Sequence, residues 1–144
     1  MDRNMKRDII LDNYQNPYHR LRHDDEMEYM KVNSRNVSCI DNIDLYIKVK
    51  DDRIEDISFD GEACVISTSS TNIMSNLLRN KSVDDAIKII ENYKCMIDEK
   101  SYDKNILGEA IVYDDIYKQP ARKPCVTIFA RGIEKVLNIK KNNV

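Results

Sequence analysis

Tryptophan is absent from this chain of 144 residues, and glycine occurs only three times. So little glycine means that each one marks a place where the backbone has to turn sharply. Long apolar runs are missing too, which excludes a segment able to cross a bilayer. There is no surplus of positive charge: the formal net charge is −2. A nucleic-acid-binding face needs a clustered basic excess, so no nucleic acid is expected as a partner. The first residues, MDRNMKRDII, lack the apolar stretch of a secretory signal. The expectation is a soluble cytoplasmic protein, with no membrane partner. Thiols stay reduced in that compartment, so grouped cysteines suggest metal or catalysis before disulfides. At this length the chain is expected to form one domain, 1–144, burying roughly two-thirds of its unfolded surface.

What is present reads as α+β: a small antiparallel sheet of about three strands packed against several helices. Met5 and Ile9 stand at near-helical spacing in a first helix from Asp2 to Tyr14, which ends before Pro17. Residues 15–36 are polar and weakly periodic, and are expected to form a mobile loop. In VSCIDNIDLYIKV, residues 37–49, every second position is Val37, Cys39, Asp41, Ile43, Leu45, Ile47 and Val49, the face a strand would turn to a core. KDDR then supplies a hairpin turn and IEDISF a second strand. Asp60–Gly61 signals a further turn into a short third strand, EACVI. The run STSSTN offers caps for a helix carrying Ile73/Leu77 and Met74/Leu78. SVDDAIKIIENY has capping-box spacing at Ser82 and Asp85 and predicts another helix. A helix around Leu107 to Tyr113 follows, and a closing helix from Cys125 carries Val126, Phe129, Ala130, Ile133 and Leu137 on one stripe. The tail KKNNV is expected to fray.

Asp41 is the anomaly in this pattern, because burying an ionised carboxylate without a partner costs several kcal/mol, on the order of the penalties for unpaired charge. Cys39 shares its face. Cys64 precedes a helix, and Cys125 sits in the first turn of one; helix N-termini favour thiolate over thiol. Three thiolates and a carboxylate would make a four-coordinate site for Zn²⁺ or iron, and Asp41 would then have a cation as its partner. The other reading is equally open from spacing alone: the cysteines are small buried hydrophobes and Asp41 caps a turn. No CxxC pair decides between them, and the cysteines lie 25 and 61 residues apart. Cys95 reads as packing. His19 and His23, in HRLRH, are four apart as paired ligands are, though a loop context favours surface histidines; a Cys–His nucleophile pair has no accompanying signature.

Four segments, in matching order over nearly the whole chain, resemble the SufU/IscU/NifU-N family of iron–sulfur cluster assembly proteins. FDGEACVISTSSTNIMSNLL is similar to the family's F.G.GC.IS.AS.S.M, and VNSRNVSCIDNIDLYI to its NP.CGD.I.L. QPARKPCVTIF resembles P.R..C..L, and QNPYHR resembles NP.N.G. The interval between Cys64 and Cys125 includes the insertion that marks the SufU type. There is no Leu-Pro-Pro-Val-Lys motif, and Lys123 and Pro124 stand where IscU proteins have a histidine before the last cysteine. The chain departs from the family at Ile40 and Ala63, each replacing a glycine, so the backbone there is either ordinary or differently shaped.

The resemblance implies metal ligands at Cys39, Asp41, Cys64 and Cys125, with Arg122 as a neighbouring cation that relieves their excess negative charge. Arg122 could equally be a solvated surface arginine. The resemblance implies two functional readings. In one, the protein binds Zn²⁺ and Cys39 accepts persulfide sulfur from a SufS-like cysteine desulfurase, a zinc-dependent sulfurtransferase activity. In the other, it is a scaffold for a transient [2Fe–2S] cluster that passes to iron–sulfur acceptor or carrier proteins. A third reading, from a different class, is a structural zinc domain that binds another protein without sulfur chemistry.

Overall fold

The computed structural model describes residues 1–37 and 39–142. Helix α1 (Arg3–Gln15) begins where the Asp2 side chain accepts the Met5 N–H at 2.8 Å, and packs against the later helix α2 (Val65–Leu78). Strands β1 (Met30–Arg35), β2 (Asn42–Lys50) and β3 (Arg53–Glu62) form an antiparallel meander in the order β1-β2-β3. Helix α3 (Val83–Ile97) follows α2, then a run of short 3₁₀ turns including Gly108–Tyr113, a four-residue helix α4 (Lys123–Val126) and α5 (Ile128–Asn142). Ile43, Leu45 and Ile47 of β2 and Ile57 and Phe59 of β3 are buried with Ile73, Met74 and Leu78 of α2. The closing stripe Val126, Phe129, Ala130, Ile133 and Leu137 is buried with them. The α+β class and the small antiparallel sheet are as expected.

The third strand is not the expected one. EACVI leaves the sheet after Glu62, the last residue of β3, and Cys64 is already the N-cap of α2. STSSTN therefore lies inside the helix and is buried. Three of its hydroxyls donate to nearby backbone carbonyls: Thr68 Oγ1 to Ala63, Ser69 Oγ to Ile66 and Ser70 Oγ to Ser67, each at 3.3 Å. The remaining strand is β1, in the segment expected to be a mobile loop. MKVNSR alternates as a strand should, but its third inward position is Ser34, whose hydroxyl donates to the Ile128 carbonyl at 2.7 Å. A polar residue in a core position hid the strand.

The rest of that segment is also fixed. The Phe59 N–H donates to the His19 carbonyl at 3.1 Å and the Leu21 N–H to the Phe59 carbonyl at 2.9 Å, so residues 19–21 line the free edge of β3. Tyr46, fully buried on the outer face of β2, donates to Asp24 at 2.6 Å.

KDDR turns as expected, with Asp51 and Asp52 at φ 52° and 60°, both in the left-handed region a tight hairpin uses. Asp60–Gly61, in contrast, is not a turn: β3 runs through it to Glu62. Gly61 has φ 138°, and a Cβ there would stand 2.2 Å from the Asn42 carbonyl oxygen and 2.9 Å from Ile43 Cα. Glycine is needed because β2 passes too close for any side chain. The 107–113 helix is realised as a 3₁₀ turn, and the closing helix is broken at Thr127 between α4 and α5. Of KKNNV, 140–142 continue α5, and the rest of the expected frayed tail lies outside the described residues, as does Ser38.

Gly61→Ala is expected to destabilise the fold by at least about 2 kcal/mol, since backbone atoms, not a movable side chain, occupy the Cβ position. Denaturant unfolding of the two proteins measures this; a loss within about 0.5 kcal/mol, the size of an ordinary surface change, would mean that β2 and β3 separate easily at this point.

Candidate metal centre

The β1–β2 connection, residues 36–41, carries Asp41 inward and Cys39 outward. Strand β2 starts only at Asn42, so the period-two face expected from residue 37 does not extend back through the turn. Val37 and Cys39 are exposed, whereas Asp41 is 1% exposed. The turn is tied by the Asn36 N–H donating to the Asp41 carbonyl at 3.0 Å and the Cys39 N–H donating to the Asn36 carbonyl at 3.1 Å. Non-glycine residues with positive φ, among those described, are Asp51, Asp52, Asn80 and Glu99. Ile40 and Ala63 therefore have ordinary backbone, and the family's glycines are not needed for conformation here.

The Asp41 carboxylate reaches the N-terminus of α2. One oxygen accepts the Cys64 N–H at 2.7 Å; the other accepts the Ser67 hydroxyl at 2.6 Å and the Cys64 thiol at 3.7 Å. Cys64 Sγ in turn accepts the Ser67 N–H at 3.4 Å, as an N-cap side chain does. Cys125 is brought in by α4. It is buried, with Asn36 Nδ2 donating to its sulfur at 3.6 Å and the Ser67 hydroxyl 3.3 Å from its carbonyl. The ligand atoms of Asp41, Cys64 and Cys125 all lie within 4.8 Å of one another. Tetrahedral Zn²⁺ with sulfur and oxygen ligands holds them about 3.5–3.8 Å apart, so a modest contraction would complete three of four positions. The donor set fits the ion.

Electrostatics point the same way. Burial alone would raise the Asp41 carboxyl, but the hydrogen bonds from Ser67, the Cys64 N–H and the thiols outweigh it, and its pKa lies below the ordinary 3.8. Burial, with the Cys64 and Asp41 charges next to it, pushes the Cys125 thiol up to about 11. Without a cation the Asp41 carboxylate therefore stays charged and the Cys125 thiol keeps its proton.

Cys39 does not join this cluster; it stands on the exposed turn two residues from Asp41. Arg122 is exposed and has no side-chain ion pair among the described residues. It lines, with Cys64, Ile66, Tyr113 and Gln119, a cleft of about 490 Å³ that opens on Cys64. Cys95 is half-buried on α3, outside the site. His19 is buried, not a surface residue: its N–H donates to Asn72 Oδ1 at 3.0 Å, and Nε2 lies 3.2 Å from Asn76 Oδ1. His23 stacks on Tyr29 with centroids 3.9 Å apart and contacts Glu26. Neither histidine joins a metal cluster among the described residues. The sequence reading missed Ser67 and Asn36. Ser67 carried a signal, a hydroxyl three residues after a helix-capping cysteine; Asn36 carried none.

The family model described as the NifU-like N terminal domain matches residues 5–126. The chain belongs to that family. NifU-like relatives include the zinc-dependent sulfurtransferase SufU of Bacillus subtilis (strain 168), 32% identical over 130 residues, 90% of this chain and 86% of the relative. The iron–sulfur cluster assembly scaffold protein IscU of Thermotoga maritima is 31% identical over 103 residues, 72% of each chain. The crystal structure of a putative iron–sulfur cluster assembly scaffold protein for the SUF system, from Fervidobacterium islandicum AW-1, superposes with a TM-score of 0.82 at 28% identity, covering 90% of this chain and 93% of that one.

Metal binding is expected to release protons near neutral pH, because the Cys125 thiol holds its proton up to about 11 in the metal-free chain. Affinity should fall as pH falls and protons compete for the thiols. In the metal-free chain the raised Cys125 contributes stability that is complete below its ordinary value of 9.0 and lost as pH climbs through about 11. Zinc titration by calorimetry in buffers of different ionisation enthalpy measures the release; no release would exclude the thiols as ligands.

Proposed function

We propose that this protein works in iron–sulfur cluster assembly, binding a metal ion at Asp41, Cys64, Cys125 and Cys39 and accepting sulfur at Cys39 from a cysteine desulfurase. The observation that carries the reading is the convergence of a buried carboxylate and two cysteine sulfurs within 4.8 Å, beside an exposed third cysteine. The names of the SufU and IscU relatives support it. Residues 1–144 act as one domain. The cytoplasm is the setting this chemistry needs, where thiols stay reduced; among the described residues, no helix is long and apolar enough to cross a membrane.

A bound Zn²⁺ would keep the thiols deprotonated near neutral pH. The residues have separate tasks. Asp41 is held in place by the Cys64 N–H and the Ser67 hydroxyl, so it does not have to be organised when the ion arrives. Cys64 and Cys125 are anchored at helix starts and have little freedom to leave. Cys39 has the least to lose by leaving, because its turn is exposed and its sulfur is outside the preformed cluster. Its thiolate attacks the outer sulfur of a donor cysteine persulfide. A new S–S bond forms at Cys39, the donor's S–S bond breaks, and the donor cysteine departs as a thiolate, with no net oxidation. A nascent [2Fe–2S] cluster is the alternative cargo: the same thiolates would hold it before release to an acceptor or carrier protein, and a carboxylate ligand suits a site that must let go.

A structural zinc domain without sulfur chemistry is less well supported. Such sites are closed by four firmly held ligands, whereas here the fourth candidate stands on an exposed turn.

Cys39→Ser is expected to keep the fold, weaken metal binding modestly and abolish sulfur acceptance, whereas Cys64→Ser and Cys125→Ser lose the metal. Incubation with a desulfurase and cysteine, then peptide mass spectrometry, locates the added sulfur. Sulfur on Cys64, Cys95 or Cys125 with Cys39 unmodified would contradict the assignment.

A further inference from the structure

The turn that carries Cys39 also exposes two aliphatic side chains, Val37 at 99% and Ile40 at 71%. Both are among the large hydrophobic residues this protein leaves in water, and they bracket the thiol in sequence. Ile40 is not there to shape the backbone, which is ordinary at this position. The surrounding charge is one-sided. Arg35 closes β1 just before the turn and is exposed. The Arg131 guanidinium donates to the carbonyls of Arg35 at 3.0 Å and Pro124 at 2.6 Å, which fixes its charge between β1 and the start of α4. Arg122 lines the cleft at Cys64. None of the three arginines has a carboxylate partner among the described residues. Glu62, opposite Asn42 in the β2–β3 ladder, is acidic, and the next acidic pair along it, Asp44 and Asp60, is matched by Arg22 and Arg20. Arg35 and Arg131 thus put unpaired positive charge at the base of the turn, and Arg122 puts more at the Cys64 cleft.

We infer that Val37 and Ile40 form a docking tip that enters an apolar slot of the protein that donates sulfur to Cys39, a slot whose mouth carries carboxylates facing Arg35, Arg131 and Arg122. The inference rests on the sulfur-acceptor reading of Cys39. Its physical basis is contact: two sulfurs can exchange only when they touch, and a protein that reaches Cys39 Sγ cannot avoid covering the residues on either side of it. Val37 and Ile40 would then lose their water, and aliphatic burial contributes to affinity in proportion to area. The arginines add attraction before contact and orient the approach. The tip therefore selects a protein donor over a small persulfide, which needs neither contact.

The test uses the full chain, its Val37→Ser and Ile40→Ser variants and their combination, and Arg35→Gln. Each is offered two sulfur donors: glutathione persulfide, and a SufS-type cysteine desulfurase supplied with cysteine. All substituted side chains are exposed, so melting temperatures should match the parent's. With glutathione persulfide, labelling of Cys39 should be the same in all proteins. With the desulfurase, the double variant should need at least about tenfold more acceptor protein for half-maximal sulfur transfer, the loss expected when buried aliphatic contacts are withheld. Added salt should weaken the parent, and Arg35→Gln should show a shallower salt dependence. Desulfurase-driven transfer unchanged in the double variant would overturn the docking tip while leaving Cys39 as acceptor. A parent chain in which neither donor labels Cys39 would overturn the acceptor reading, and the tip with it.

Discussion

Asp41 is 1% exposed, and among the described residues no basic side chain pairs with its carboxylate. An anion in that position persists only where backbone and hydroxyl donors replace its water. Those donors come from the first turn of α2, so the β1–β2 turn and the start of α2 have to meet. That meeting makes several other demands. Strand β3 must deliver the chain directly into Cys64, which leaves no room for a side chain at Gly61. Ser67 must point out of the helix toward Asp41 instead of closing on its own backbone, unlike its neighbours Ser69 and Ser70. Helix α4 must stop after one turn to set Cys125 against the same group, and the break at Thr127 then lets α5 cross the sheet, with Gly132 against Leu45 and Ser34.

One constraint therefore accounts for both the architecture and the chemistry. The donors that stabilise Asp41 without metal leave it charged, while burial, reinforced by Cys64 and Asp41 beside it, keeps the Cys125 thiol protonated. A divalent cation removes the conflict by exchanging protons for itself. The centre is half-built: its carboxylate and two sulfurs converge before any ion binds, while Cys39 waits on the surface. In the proposed centre the fourth ligand would come from that exposed turn and could leave without unfolding the cluster, which is what separates a carrier from a structural clamp.

Much of this was legible in the residues. Asp41 could be picked out because a carboxylate on an apolar face has to be explained, Cys64 because it precedes a helix and Cys125 because it sits in the first turn of one. The IEDISF strand and the stripe on α5 followed from periodicity, and the α3 cap at Ser82 from its capping-box spacing to Asp85. What failed did so for local reasons. Strand β1 has Ser34 where an apolar residue would have announced it. Asp60–Gly61 looked like a turn because glycine permits a turn, but here it permits close approach of two strands. Cys39 was set on the core face because alternation was carried past the first paired residue of β2, into a turn where period two has no meaning. STSSTN has the hydroxyls that capping favours, yet the cap of α2 is the Cys64 thiol, which no capping preference nominates.

The ligand set itself is the most direct thing to measure. X-ray absorption at the zinc edge of the zinc-loaded protein should show about three sulfurs near 2.3 Å and one oxygen near 2.0 Å, with about one sulfur fewer after Cys39→Ser and loss of the short oxygen after Asp41→Ala. A zinc shell without sulfur, or one that is the same in Asp41→Ala as in the parent, would contradict the claim that the buried carboxylate and its neighbouring thiols form the centre.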